Sequence, residues 1–524
     1  MFDLMIGPVH EVWSSQPEHV EEHATAHLPG ERSWDAHDLI IAAALFLLTL
    51  LSRLPFMTTM LYAWDSVLYA RAIDHFDVLA QQPQPPGYIF YVGLISLFNY
   101  IVADKNAAIV WVSVLSSAAA AACLYWLGQA MFSRRVGLLA SLFLVTSLSY
   151  WAHSEVALPY ALLGFLSILV ATVVYQTWEG NAGYLIPAAA VLGLASGFRQ
   201  DLLIFLLPLF AVGLSGKPLS RIFLSLSVLS GTVLCWYVPT VLLSGGLDVY
   251  QTALSQQSDY LMRNATFLSG DGVGSIVGNL GAMAHFFFWA ASGALPLAGM
   301  LVYRLVFRWD VCKGDRRLLF LAVWALPSML FYIFIHVGEL GYIFSFLPAF
   351  LLAGVAAADG LLSKRIVRPE HVRGLPLFAY APALLIAFNL VMFLFISPKL
   401  SASSLAARDE TLRFEISAIR ENFKPDSTMI VAVHDDRQVS YYLPEYRHIR
   451  LDPMVKENVT EPLPADIKQV VIFDKYLESS REGTGKILSI TPDRYLSYIP
   501  REPRQKSVAL DWRDKSVTLL SEVN

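Results

Sequence analysis

The sequence predicts an α-helical polytopic membrane protein of about eleven transmembrane helices, followed by a small C-terminal α/β extracytoplasmic domain. Three observations predict it. Hydrophobic residues make up 55% of the 524 and charged residues only 15%, with a mean hydropathy of +0.50, whereas a soluble domain carries about 25% charged residues. Apolar stretches of crossing length recur between residues 38 and 397. The basic connectors between them fall almost entirely on one side, as orientation in a bilayer demands.

Spans are expected near 38–58, 107–130, 136–151, 157–177, 182–198, 201–214, 222–244, 276–306, 317–337, 341–360 and 375–397. One side then receives Arg134 and Arg135, Lys217 and Arg221, the run from Arg304 to Arg317, and Lys364, Arg365, Arg368 and Arg373. The other receives Arg71, Lys105, Arg199 and Arg263. The basic side is therefore read as cytoplasmic. The apolar but short segment 88–102 follows the helix-breaking "QPQPPG", and a crossing there would invert every later loop. It is placed as a juxtamembrane helix on the outer surface. Segment 202–214 is short as well, but removing it causes the same inversion, so it is counted as a span.

Residues 1–37 are acidic and contain His10, His19, His23, His27 and His37. They lack the basic and apolar blocks of a signal peptide and read as a cytoplasmic tail, with no metal assigned. The three cysteines, Cys123, Cys235 and Cys312, imply no disulfide framework. A net charge of −5 without basic runs points away from nucleic acid, and no cofactor is indicated. From 398 to 524 the composition turns mixed. "RDETLRFEISAIRENF" (408–423) has helical spacing, and "TMIVAV" (428–433) and "QVVIF" (469–473) have the look of short buried strands. The "HDD" at 434–436 ends a strand and reads as a solvated turn.

Against this apolar background a few charges stand out at the outer ends of the spans: Asp65, Glu155, Arg199, Asp201 and Glu339. Ionisable residues beside hydrocarbon are expensive, and by default they mark a functional site. Their shared level points to chemistry at one membrane face. Asp65 follows the first span in "TTMLYAWDSVLYARAIDHF", either as a helix cap or as a reactive carboxylate. His153 and Glu155 lie together in "SYWAHSEVALPYALLGF", and Glu339 and Tyr342 in "HVGELGY".

These segments, in this order and on one side, resemble one superfamily. A lone outer-loop Asp after span one, "QPPGY" where relatives carry His-Pro-Pro-Leu-Tyr, "FSRRVGLLASLFLVTSLSYW", and an acidic residue before "ALPYALLGF" are similar to the GT-C integral-membrane glycosyltransferases. The nearest branch is that of the dolichyl-phosphate-mannose-protein mannosyltransferases and the lipid A aminoarabinose transferases. "SGFRQDLLIFLLPL" and "GELGYIFSFLPAFLL" resemble two later landmarks, so that the likeness runs over residues 38–360. Gln84 departs from the His of relatives, and the acidic pair sometimes found in the first loop is here Asp65 followed by Ser66.

The resemblance implies a polyprenyl-phosphate-linked sugar as donor and an acceptor hydroxyl on a glycan, lipid or protein, at the outer face of the plasma (inner) membrane. The leaving phosphate is already a stable anion, whereas a hydroxyl nucleophile benefits from a carboxylate base. Asp65 is the expected base, giving inversion, with Glu155 as second catalytic carboxylate. Arg199 is expected on the donor phosphate, because its planar fork suits phosphate oxygens; the alternative is an ion pair with Asp201 that only balances charge. His153, Arg263, Glu339 and Tyr342 complete the expected substrate-binding set. The competing reading is a transporter or flippase for a lipid-linked or polar substrate, whose charged groups would line a central cavity.

Overall fold

A computed structural model describes residues 35–264, 272–308, 312–363, 377–433, 435–450, 458–473, 478–479, 485–491, 494–511 and 514–521. Helices dominate as far as residue 422. They are α1 (Ala36–Arg53), α2 (Trp64–Asp74), α3 (Ile89–Val102), α4 (Lys105–Met131), α5 (Arg134–Thr146), α6 (Leu148–His153), α7 (Tyr160–Trp178), α8 (Leu185–Phe198) and α9 (Asp201–Gly213). After them come α10 (Leu219–Leu243), α11 (Leu247–Asn264), α12 (Gly272–Ala291), α13 (Leu295–Phe307), α14 (Arg316–Phe334), α15 (Leu347–Ser363), α16 (Leu377–Val391) and α17 (Ala402–Asn422). Six segments are long and apolar enough to cross a membrane, among them Lys105–Met131 and Tyr160–Trp178, and five shorter apolar helices accompany them among the described residues.

Helix α4 is apolar all round and is buried by α1, α3, α5 and α7, so the bundle is built around it. Such a helix belongs in the middle of a large core. Outer helices such as α10 bury little and turn Leu219, Phe223 and Leu242 outward, as a lipid-facing helix does. At the basic end, Asp38 is buried and accepts from Tyr125 Oη (2.6 Å) and Arg134 Nε (2.8 Å), which ties α1 to α4 and α5.

The expected span 276–306 lies within one apolar segment of crossing length, Gly272–Phe307, whose helix is interrupted. A 3₁₀ turn at Ser292–Ala294 separates α12 from α13, and Gly293 N–H donates to Asn389 Oδ1 at 2.7 Å. The cause is Pro296, which cannot donate to a helix running through it and instead starts α13. The long outer segment after 244, expected as a loop, forms α11. Its Tyr250 and Ala253, one turn apart, pack with Val78, and Tyr250 Oη donates to Pro86 O at 3.1 Å. Segment 136–151 is also divided, at Ser147, between α5 and α6.

Among the described residues, the small C-terminal domain carries α17, the short α18 (Asp436–Tyr442) and nine strands: β1 (Thr428–Ala432), β2 (Arg447–Arg450), β3 (Val459–Pro462), β4 (Gln469–Ile472), β5 (Glu478–Ser479), β6 (Lys486–Thr491), β7 (Arg494–Pro500), β8 (Gln505–Asp511) and β9 (Ser516–Ser521). One sheet has the order β2-β1-β4-β7-β6, with β1 parallel to both neighbours; the other runs β3-β8-β9-β5. Alternation along β1 builds two cores. Ile430 and Ala432 face Leu412, Ile416 and Ile419 of α17, while Met429 and Val431 face Val508, Leu510 and Val517 of the second sheet. Both expected strands and the expected helix are present.

Candidate active site

Helix α2 starts directly after the loop that follows α1. Its N-terminus is closed by Ser66, whose Oγ accepts the Ala63 N–H at 3.1 Å. Asp65 therefore does not serve as the cap. Its carboxylate is half-buried and receives a hydrogen bond from Gln84. The surrounding protein pushes it above the ordinary carboxyl value, opposed by the positive charges of Arg437 and Arg199.

Arg199 follows α8, whose last turn holds its N–H on Ala195 O at 3.1 Å. An extended backbone (φ −148°, ψ 110°) then lets its side chain meet Asp201 two residues on, which a continuous helix would forbid. Nε and Nη2 donate to the two Asp201 carboxylate oxygens at 3.3 and 2.8 Å. The guanidinium carbon lies 5.4 Å from the ring of Tyr88, 5.6 Å from Tyr160 and 5.5 Å from Tyr342. Three ring faces and one carboxylate thus hold a buried cation, and Nη1 makes no hydrogen bond among the described residues.

Two glycines make this cage possible. Gly87 has φ +109°, and a Cβ there would lie 3.0 Å from both Thr240 and Val78; it turns the chain so that Tyr88 meets Arg199. Gly341 lies flat against Tyr160, which brings the 3₁₀ turn Leu340–Ser345, and with it Tyr342, up to the cation. Glu339 opens that turn. It is exposed, but the flanking protein and the charge of Asp65 push its carboxyl up to about 7.

Asp65, Arg199, Asp201, Glu339 and Tyr342 are therefore brought together. Glu155 and His153 are placed behind them. Glu155 is fully buried, accepts from Trp151 Nε1 at 2.5 Å and faces Arg53, which stacks on the same indole at 4.1 Å. Its main-chain carbonyl accepts both the N–H (2.9 Å) and the hydroxyl (2.8 Å) of Thr58, pinning the start of the loop that carries Asp65. His153 holds Ser149 O at 2.8 Å through Nδ1 and packs edge-on against Tyr160, and burial pulls its pKa down to about 4. Arg263 belongs to α11, but its side chain lies outside the described residues, as does His434 of the "HDD" turn.

Sequence reasoning missed Tyr88, Tyr160 and Arg437. The two tyrosines stand inside the quoted "QPPGY" and "ALPYALLGF", where an aromatic near a span end reads as an ordinary interfacial residue. Arg437 gave no signal beyond its position after the "HDD" turn. Among the described residues, no group of three or more His, Cys, Asp or Glu side chains is arranged to hold a metal.

Residues 84–242 match the family described as dolichyl-phosphate-mannose-protein mannosyltransferase. The apo crystal structure of ArnT from Cupriavidus metallidurans superposes with a TM-score of 0.50 at 14% identity, over 89% of this chain and 98% of that one. The chain has the GT-C fold. The undecaprenyl-phosphate-bound ArnT of the same organism gives a TM-score of 0.49 at 13% identity, over 88% of this chain and 97% of that one. The Archaeoglobus fulgidus oligosaccharyltransferase complex with Zn and sulfate gives 0.44 at 13% identity, over 79% of this chain and 62% of that one. No curated protein sequence matches significantly. The matched family and these GT-C structures are glycosyltransferases.

Proposed function

We propose that this GT-C protein transfers a sugar from a polyprenyl-phosphate-linked donor to an acceptor hydroxyl at the extracytoplasmic face, by single displacement with inversion. The observation that carries this reading is the pairing of one carboxylate, Asp65, with one caged cation, Arg199, at the ends of the helices that carry them. The match of residues 84–242 to a family whose donor is a dolichyl-phosphate sugar supports the lipid-linked donor.

In this mechanism Arg199 turns its unpaired Nη1 edge toward the donor phosphate. Asp201 holds the opposite edge of the guanidinium, so the cation is aimed before the donor arrives, and preorganised charge is where most electrostatic catalysis originates. The carboxylate of Asp65 takes the proton of the acceptor hydroxyl as its oxygen attacks the anomeric carbon. The bond from that carbon to the phosphate oxygen breaks, and the polyprenyl phosphate leaves as an anion. Asp65 suits the task because its surroundings raise its basicity above that of an ordinary carboxylate, while Arg437 and Arg199 favour its charged form. Glu155 and His153 act from behind: Glu155 fixes the loop that delivers Asp65, and His153 braces Tyr160. Tyr342 and Glu339 border the sugar.

The test is to incubate the purified protein with a panel of polyprenyl-phosphate sugars and follow sugar-dependent release of polyprenyl phosphate. Release with at least one donor, accelerated by a hydroxyl acceptor, is expected. Vectorial movement of intact donor across vesicles with no release, for every sugar in the panel, would favour a flippase instead.

A further inference from the structure

The C-terminal domain is seated on the loop that carries Asp65. Arg71 of α2 donates to Ser440 Oγ at 2.8 Å, the Leu61 N–H to Tyr442 Oη at 2.9 Å, and Arg408 Nε to Tyr62 O at 3.1 Å; Asp409 takes both the N–H and the hydroxyl of Thr59. Through this interface α18 delivers a buried arginine, Arg437, to the start of α2 beside Asp65. Its guanidinium carbon lies 4.8 Å from the ring of Trp64, the residue before Asp65, and Nη2 donates to Gln81 Oε1 at 2.8 Å. Gln81 adopts a left-handed backbone (φ 58°), an arrangement that disfavours any residue with a Cβ and would suit glycine. A glutamine retained there supplies what glycine lacks, a side-chain acceptor aimed at Arg437. Three residues further on, Gln84 holds the Asp65 carboxylate itself.

Resting on the reading of Asp65 as the base, we propose that Arg437 is a positioning residue for it: the C-terminal domain lends a cation that holds the negative charge on Asp65, and the site is complete only when that domain is docked. A guanidinium over the Trp64 ring and hydrogen-bonded to Gln81 is restrained beside Asp65, and its positive charge acts on that carboxylate. The charged groups that face Asp65 are Arg437 from α18, Arg199 from the turn before α9, and Glu339 from the turn after α14. The remaining neighbours are phenols: Tyr69 on α2, Tyr88 and Tyr91 at α3, and Tyr160 and Tyr342. Phenols carry no charge near neutrality. Removing Arg437 leaves Asp65 with Arg199 alone, already engaged by Asp201.

The experiment is the pH profile of kcat/KM for donor turnover by the full-length protein, in a Glu339→Gln background so that the acid limb reports Asp65. Arg437→Gln is expected to move that limb upward by about one pH unit, the size of effect a nearby opposite charge produces, with activity recovering at alkaline pH. Arg437→Lys should restore most of the shift. Gln81→Gly keeps or raises the melting temperature by relieving the left-handed backbone, yet should move the limb in the same direction by releasing the guanidinium; it decides the matter if Arg437→Gln does not fold. A limb that stays in place in the folded variants, with activity lowered equally at all pH values, would overturn the proposal and leave Arg437 a docking contact. The two readings fail separately. Turnover retained by Asp65→Asn sinks the base and this proposal together, whereas an inactive Asp65→Asn beside an unmoved limb sinks only the role of Arg437.

Discussion

Gly341 rests on the ring of Tyr160 so closely that a Cβ at Gly341 would lie 2.1 Å from Tyr160 Cγ and 2.5 Å from its Cβ. Tyr160 is 1% exposed and starts α7, so it has no flexible end to swing aside. Gly341→Ala is therefore expected to displace the turn that carries Tyr342, loosening the cage around Arg199. Overpacking of this kind costs about 1–3 kcal/mol. A fall in melting temperature accompanied by a rise in donor KM is expected; unchanged values for both would show that the contact does not position the cage.

For the base, Asp65→Asn keeps the size of the side chain but cannot take a proton at neutral pH. Donor turnover should fall by roughly 10²–10⁴-fold while donor binding persists, measured by single-turnover release of polyprenyl phosphate. Asp65→Glu should recover only part of the rate, because the longer arm moves the carboxylate away from Gln84.

Arg199 and Asp201 make different demands on a substitution. Arg199→Lys keeps a point charge but loses the fork and its contact with three rings, so some activity with weaker donor binding is expected. Arg199→Ala leaves Asp201 without its cation and should lose about 1–3 kcal/mol of stability in addition to turnover. If both variants bind donor normally in a ligand-dependent melting assay, the arginine serves only to neutralise Asp201.

Glu339 supplies a pH signature. Its carboxyl, pushed up to about 7 by the flanking protein and by Asp65, is protonated below that value and charged above it. Below that value it is neutral and does not oppose the ionisation of Asp65. Glu339→Gln should therefore remove any titration near pH 7 from the kcat/KM profile and leave the acid limb set by Asp65 in place. A titration near pH 7 that persists in Glu339→Gln would show that another group is responsible.

Topology is checked with exposed positions, because Cys312 is buried. In a Cys235→Ser background, Glu502→Cys in the C-terminal domain should react with an impermeant maleimide added outside intact cells, and Lys313→Cys only after permeabilisation. The opposite pattern would invert the assignment of the basic side.

The sequence by itself determined the membrane class, most helix positions and the two short buried strands at 428–433 and 469–473, since each rests on hydropathy summed over neighbouring residues. It also singled out Asp65, Arg199, Asp201 and Glu339, because a charge in apolar surroundings is conspicuous whatever the fold. Local chemistry likewise interrupted the helix of the 276–306 span at Pro296, a signal present in the sequence but outweighed by the length of the apolar run. Only the tertiary structure decided that Glu155 turns to Arg53 and away from Asp65, since both directions are open to a carboxylate in a turn until α1 is packed beside it. It alone closed Tyr88, Tyr160 and Tyr342 around Arg199, and brought Arg437 to Trp64 across more than three hundred residues of chain. Such convergence depends on how helices and domain pack against one another, and packing of distant segments leaves no periodicity in the sequence to read.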